Sequence, residues 1–217
     1  KNISVDALMA LADQVADTLT YSYSETMLAI PGDSLDATES THEQLMTAGI
    51  GTIIQHQSVL LEGTEMASMP SLDEFGIKSM FRQPQRSFGV YEFLGNHLYI
   101  MEIEEIVVST NTMPFKDYLK CRRLYFLIIL YYNDRIFGVV HALLRILGLS
   151  TFGWIKMLDD NYKKFNPKLR DIIDNFVEAT RDELWETPES LIEDFKSDEN
   201  KYLSGDAGFN LSYKYKK

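Results

Sequence analysis

Leu28-Ala29-Ile30-Pro31-Gly32-Asp33-Ser34 and Leu60-Leu61-Glu62-Gly63-Thr64-Glu65-Met66 decide how this chain folds. Each loop follows an apolar, strand-like run, residues 20–30 and 51–60. Pro31 cannot extend a β-ladder, and Gly32 permits the turn that follows. Between the runs, residues 35–48 have the spacing of an amphipathic helix, and Gly49 stands where a left-handed helix end favours glycine. Strand, helix and strand imply parallel strands joined by a right-handed crossover. Both loops then lie at the carboxyl ends of the strands, the edge where α/β proteins bind ligands.

The 217 residues are 45% hydrophobic and 12% aromatic, enough for one large domain or two small ones. The formal net charge of -11 repels a phosphate backbone and argues against nucleic-acid binding outside a local basic patch. The densest basic cluster, Lys116, Lys120, Arg122 and Arg123, reads as a solvated helix face. A single cysteine, Cys121, excludes an internal disulfide and makes a reducing cytoplasm the simplest compartment. The opening Lys1-Asn2-Ile3-Ser4 has no signal-peptide pattern, and the missing initiator methionine fits a processed chain or a piece of a longer one. The most apolar run, Leu124 to Tyr132, is too short to span a bilayer and reads as a buried helix.

Outward from the two loops, Ser4 is a candidate cap for a helix over residues 4–17, with Leu8, Leu11, Ala12 and Val15 at helical spacing. Residues 67–86 read as a loop-rich connection. Ser87–Phe93 and His97–Ser109 read as a hairpin about Leu94-Gly95-Asn96, although the second run alternates imperfectly. From Pro114 onward the chain reads as helix: to Tyr132 with Thr112 as cap, then 135–147, one from Ser150, 167–184 and 188–203. The tail from Gly205 reads as frayed. The expected fold class is mixed α/β. Residues 1–66 form a βαβ portion, 67–112 a loop and hairpin connection, and 113–217 a helical C-terminal domain.

The run from Tyr23 to Ser34 resembles the late-barrel strand and loop of radical S-adenosylmethionine (radical SAM) enzymes, which commonly read aliphatic, Gly, aliphatic, Pro-Gly-Glu/Asp-Thr/Ser. The run from Leu60 to Met66 resembles their last barrel strand, usually followed by Pro-Gly-Thr. Phe81-Arg82, Arg86 to Gly89, Glu102 to Val108 and Thr112 to Tyr118 resemble the post-barrel region of the subgroup with a cobalamin-binding domain. The resemblance implies the end of a partial TIM-type barrel in a cytoplasmic parent enzyme. That parent uses S-adenosylmethionine, a [4Fe–4S] iron–sulfur cluster and cobalamin, as an oxidoreductase or methyltransferase. The family's Cys-x3-Cys-x2-Cys motif is absent, and one cysteine cannot supply its three thiolates. Ala29 stands where relatives have glycine, and Glu62 where they have proline. The implied chain is therefore a carboxyl-terminal fragment, inactive alone, that retains none of these cofactors and is completed by the N-terminal part of the same protein.

The resemblance implies cofactor contacts from Glu25, Pro31, Gly32 and Gln57, and substrate contacts from Gly63, Thr64 and Glu65. Each has a plainer reading. Glu25 is also explained as a solvated edge carboxylate, Asp33 as a cap of the next helix, and Gly63-Thr64-Glu65 as a strand-ending turn. Gln55 and Gln57 are polar side chains on an apolar strand and need partners, which an internal hydrogen bond also supplies. His56 has no companion at metal-ligand spacing. His42 reads as exposed, Cys121 as a packed thiol, and Glu102 and Glu104 as a solvated strand face. Tyr118, Tyr125, Phe126, Tyr131 and Tyr132 read as helix core.

The expected partners are a small-molecule substrate and the missing N-terminal part, with no nucleic acid and no membrane. An isolated barrel tail exposes strand edges, which predicts homodimerisation. The alternative function is a non-catalytic protein-interaction module, favoured by the absence of any complete catalytic constellation. Neither a Gly-x-Ser-x-Gly elbow nor a Gly-x4-Gly-Lys-Ser/Thr phosphate loop is present.

Overall fold

The computed structural model describes Ala7 and residues 22–204, 207–208 and 210–216. The helix expected over residues 4–17 and the first residues of the strand expected from residue 20 lie outside them. Strand β1 (Tyr23–Leu28), helix α1 (Leu35–Thr47) and strand β2 (Thr52–Gln57) form the expected parallel unit, in register from Tyr23↔Thr52 to Leu28↔Gln57. The Ser34 hydroxyl, rather than Asp33, caps α1 by accepting from the Ala37 N–H at 3.2 Å. Gly49, at φ +76°, ends the helix as expected.

The stretch read as a loop holds helix α2 (Met69–Phe75) and strand β3 (Lys78–Arg82). Both are too short to show a period, and Pro70 sits in the first turn of α2, where a missing N–H is no loss. Strands β4 (Phe88–Phe93) and β5 (Asn96–Met101) form the expected hairpin. The expected long second strand breaks after Met101 and yields a separate β6 (Glu104–Ser109), which accounts for its imperfect alternation. β6 pairs antiparallel with β3 and also with the continuation of β2: Val107 N–H donates to Ser58 C=O at 2.9 Å, and Leu60 N–H to Glu105 C=O at 2.7 Å. Glu104 is not solvated as expected. The Arg82 guanidinium grips it at 2.9 and 3.1 Å.

Seven further α-helices follow among the described residues: α3 (Phe115–Ile128), α4 (Gly138–Ile146), α5 (Thr151–Asn161), α6 (Pro167–Asp182), α7 (Pro188–Ser197), α8 (Glu199–Leu203) and α9 (Leu211–Lys216). α3 continues through a π turn, Ile129–Asn133. Thr112 does not cap α3; its hydroxyl donates to Asp33 C=O at 2.6 Å, and Pro114 occupies the cap position. The tail expected to fray forms α9, with Leu211 buried and the Tyr215 ring edge-on to Phe176.

α3 serves two cores. Tyr118, Leu119 and Cys121 pack with Leu28, Leu60 and Ile106–Val108. Leu124–Ile128 pack with Ile53, Phe152, Ile155 and Phe176, and the Phe126 and Phe176 rings stack at 4.2 Å. The hairpin joins a third group, in which Phe88 and Tyr99 meet Phe195 edge-on. The basic cluster is a solvated face only in part: Lys116 and Lys120 are exposed, whereas Arg122 is buried and Arg123 binds Asp159 through two bonds at 2.7 and 3.0 Å. No closed barrel forms among the described residues. No single described helix is long and apolar enough to cross a membrane; α3 with its π turn, taken together with α4, reaches that length only across a 90° bend.

Candidate functional site along the β2 edge

α3 lies antiparallel along the outer edge of β2 and satisfies it with side-chain tips. The Tyr118 hydroxyl donates to Gln57 Oε1 at 2.7 Å. The Gln55 backbone N–H donates to the Tyr125 hydroxyl. The Tyr132 hydroxyl donates to Ile50 C=O at 2.5 Å. The Asn133 carboxamide takes both backbone groups of Ile53, at 2.9 and 2.7 Å, as a neighbouring strand would. The lengths agree: from Tyr118 to Tyr132 a helix advances about 21 Å, and from Ile50 to Gln57 a strand advances about 23 Å. The π turn underwinds the helix, so the adjacent Tyr132 and Asn133 both reach the strand.

Between this edge, the end of β3 and α9 lies a cavity of about 510 Å³, whose lining includes Gln55, Gln57, Gln83, Arg122, Tyr125 and Tyr213. Its mouth reaches Ile54 and His56. Both carboxamide atoms of Gln55 and of Gln83, and Nε of Arg122, are buried without a hydrogen-bond partner. The Arg122 guanidinium, 8% exposed, lies 3.7 Å from the Glu183 carboxylate, too far for a strong hydrogen bond. Burial pushes the Glu183 carboxyl above its ordinary range, against the pull of Arg122 and then Arg82. Unpaired buried polar groups cost on the order of 1–3 kcal/mol each. Unpartnered donors and acceptors both face this space, so the cavity suits a polar ligand that offers both acceptor and donor groups. Gln55→Leu is therefore expected to raise the unfolding free energy in ligand-free buffer by about 1–2 kcal/mol, read from urea denaturation.

The residues singled out in the sequence are not gathered at this cavity. Of the cofactor and substrate contacts that the resemblance implies, Gln57 alone lines it, beside Gln55, His56 and Tyr125. Glu25 pairs in register with Ile54, and Gln57 with Leu28, so Glu25 and Gln57 point to opposite faces of the β1–β2 pair. Glu25 lies on an open face with Tyr23, Met27 and His56, its carboxylate 3.7 Å from His56 Nε2. In the first loop, Gly32 has φ +84°, and the Asp33 carboxylate takes the N–H groups of Ala29 and Ser34 at 3.2 and 2.8 Å. Those two amides beside Pro31 and Gly32 are thus engaged within the loop. Burial raises the Asp33 carboxyl although these bonds and Thr38 pull it down. Gly63, Thr64 and Glu65 form an exposed turn in which the Thr64 N–H and hydroxyl both bond Leu61 C=O, at 3.2 and 2.7 Å.

His42 is a correction: it is buried beneath α1, its ring 6.5 Å from the Tyr125 ring, and burial lowers its pKa to about 4. Gln83 and Arg122 were missed as site residues. A signal for Arg122 existed, because Tyr118, Arg122 and Tyr125 fall at i, i+4 and i+7 on one helix face.

Cys121 is fully buried, and burial pushes its thiol up to about 12, against a hydrogen bond from Thr38. Among the described residues no three His, Cys, Asp or Glu side chains are grouped to hold a metal ion. These residues do not fit a [4Fe–4S] cluster. No protein-family model matches the chain, and no curated protein matches it.

Proposed function

We propose that this chain is the closing segment of a radical SAM enzyme of the cobalamin-binding-domain subgroup. It would contribute the last two strands of a partial TIM-type barrel and a helical cap on the substrate side. The observation that carries the reading is the asymmetry of the parallel pair. The outer edge of β2 is sealed by α3 and β6, whereas the outer edge of β1 has no strand partner among the described residues. The face carrying Tyr23, Glu25, Met27 and His56 is open. Parallel strands are ordinarily covered on both faces, so the pair calls for further strands on the β1 side, where earlier barrel strands belong. The loop backbone supports the same reading. Gly32 and Gly63 have φ of +84° and +81°, and Ala29, at the position where relatives have glycine, has φ +64°.

In this reading the open face and the Pro31-Gly32 rim meet S-adenosylmethionine held mainly by preceding strands. The substrate lies between that face and the mouth of the cavity. Bound S-adenosylmethionine supplies the radical chemistry; this chain closes the site and excludes water. No residue here is assigned to the iron–sulfur cluster or to cobalamin. The test is the reading frame preceding Lys1. It is expected to encode Cys-x3-Cys-x2-Cys, and the joined protein, purified without oxygen, is expected to carry about four irons per chain. A frame without the motif, or a joined protein without iron, overturns the proposal. One observation favours the alternative of an interaction module, the exposed apolar face of α4. A single stoichiometric partner, with no shift in Tm of the joined protein on adding S-adenosylmethionine, selects that alternative.

A further inference from the structure

We infer that α4 is a homodimer interface: a second copy of this chain docks on its apolar face by antiparallel helix pairing about a twofold axis at Leu143. The interface does not depend on the radical SAM reading and is separate from the open edge of β1.

α4 leaves α3 at 90°. Its inner side is anchored by rings: Phe137 and His141 pack on Trp154, and Phe137 also meets Tyr131. The opposite side has no cover among the described residues. Ile136 is 74% exposed, Val139 85%, Leu143 53%, Ile146 81%, Leu147 60% and Leu149 56%. Positions 139, 143, 146 and the C-cap 147 follow the i, i+4, i+7 and i+8 pattern of one helical stripe, with Ile136 and Leu149 in the flanking turns. Scattered exposed aliphatic residues are ordinary, but a contiguous stripe of this size marks an interaction site.

Three features select a second copy as the occupant. The first is area. The six side chains leave on the order of 600–700 Å² of apolar surface in water, and two copies together reach the 1,200–2,000 Å² of a standard interface. The second is self-complementary spacing. A twofold axis at Leu143 places it against itself and sets Val139 opposite the partner's Leu147 and Val140 opposite the partner's Ile146, as an isologous contact requires. The third is charge. Residues 135–150 contain no carboxylate in a chain with 32 Asp and Glu, so no acidic pair is forced together at the seam. Repulsion between two chains of charge -11 then acts across distances that salt screens. An anionic membrane is the poorer occupant. Clusters of about four to eight basic residues mark such binding, whereas this segment offers Arg135 and Arg145 on a strongly acidic protein.

The experiment is sedimentation equilibrium over a wide concentration range. Wild type is expected to associate to a dimer. The double variant Val139→Glu/Ile146→Glu is expected to associate roughly a hundredfold more weakly, since two buried charges per copy would oppose contact. Its far-UV circular dichroism is expected to match that of wild type diluted to monomer, because both positions are exposed in the single chain. Leu143→Cys is expected to form an interchain disulfide under mild oxidation, and the buried Cys121 does not compete. A wild type that stays monomeric at every soluble concentration overturns the inference, as does a dimer that survives the double variant. Flotation of wild type with phosphatidylcholine–phosphatidylserine vesicles, lost in the double variant, assigns the face to lipid and also overturns it.

Discussion

Arg123→Met is expected to lower the unfolding free energy by about 3–5 kcal/mol, the largest single-residue loss in this fold outside apolar truncations. Arg123 holds Asp159 through Nε and Nη2 at 2.7 and 3.0 Å, and Asp159 keeps only 5% of its side-chain surface. Methionine preserves much of the arginine stem against Tyr162, whose ring lies 4.7 Å from the guanidinium carbon. The loss therefore reports chiefly the uncompensated carboxylate. Asp159→Asn should lose less, because a neutral amide is cheaper to bury than an unpaired charge. Arg123→Met/Asp159→Leu should recover most of the loss, because replacing both partners of a buried pair by apolar groups is often near neutral. Urea denaturation of wild type, Arg123→Met, Asp159→Leu and Arg123→Met/Asp159→Leu as a double-mutant cycle, with Asp159→Asn alongside, checks this. Equal losses from Arg123→Met and from the double variant would contradict it.

Acidification from about pH 6.5 to pH 4 is expected to cost about 3 kcal/mol through His42 alone. His42 is 1% exposed, and burial lowers its pKa from 6.5 to about 4. Over that window the unfolded chain binds a proton that the folded chain refuses, so stability falls as pH falls; above 6.5 the two states do not differ, and below about 4 the loss is complete. Asp33, Glu39 and Glu183 act in the opposite sense, because burial raises their folded values and the folded state takes protons more readily. The informative quantity is thus the difference between wild type and His42→Phe, measured by urea denaturation at several pH values. Identical slopes for the two proteins would rule out the buried neutral imidazole.

The βαβ unit was readable because its signals are local. Pro31-Gly32 stops one strand, Gly49 stops the helix, and the apolar runs are long enough to show a period. α2 and β3 were not readable, since elements this short show no period and prolines mask them. The exposed reading of His42 overlooked the helix period, which puts it on the buried face of α1 with Thr38, Leu45 and Met46, against the Tyr125 ring. The cavity was only half legible. An orphaned Gln55 is visible as a polar residue on an apolar strand, but Gln83 reaches the same space from a region read as loop. The solvated basic face was a charge-run inference that ignored the helix period, which turns Arg122 inward beside Tyr118 and Tyr125.

The π turn at Ile129–Asn133 makes helix and strand depend on each other's residue count. Its wide loop carries one residue more than an α-helical turn would, and that surplus aligns the Asn133 carboxamide with the Ile53 backbone. Side-chain chemistry at Leu130 or Tyr131 can drift without disturbing that alignment, but a one-codon deletion there would rotate Asn133 off the sheet and unseal it. Outside the side chains of Tyr132 and Asn133, which bond the strand, the stretch between Ile128 and Asp134 should tolerate substitutions far better than changes of length.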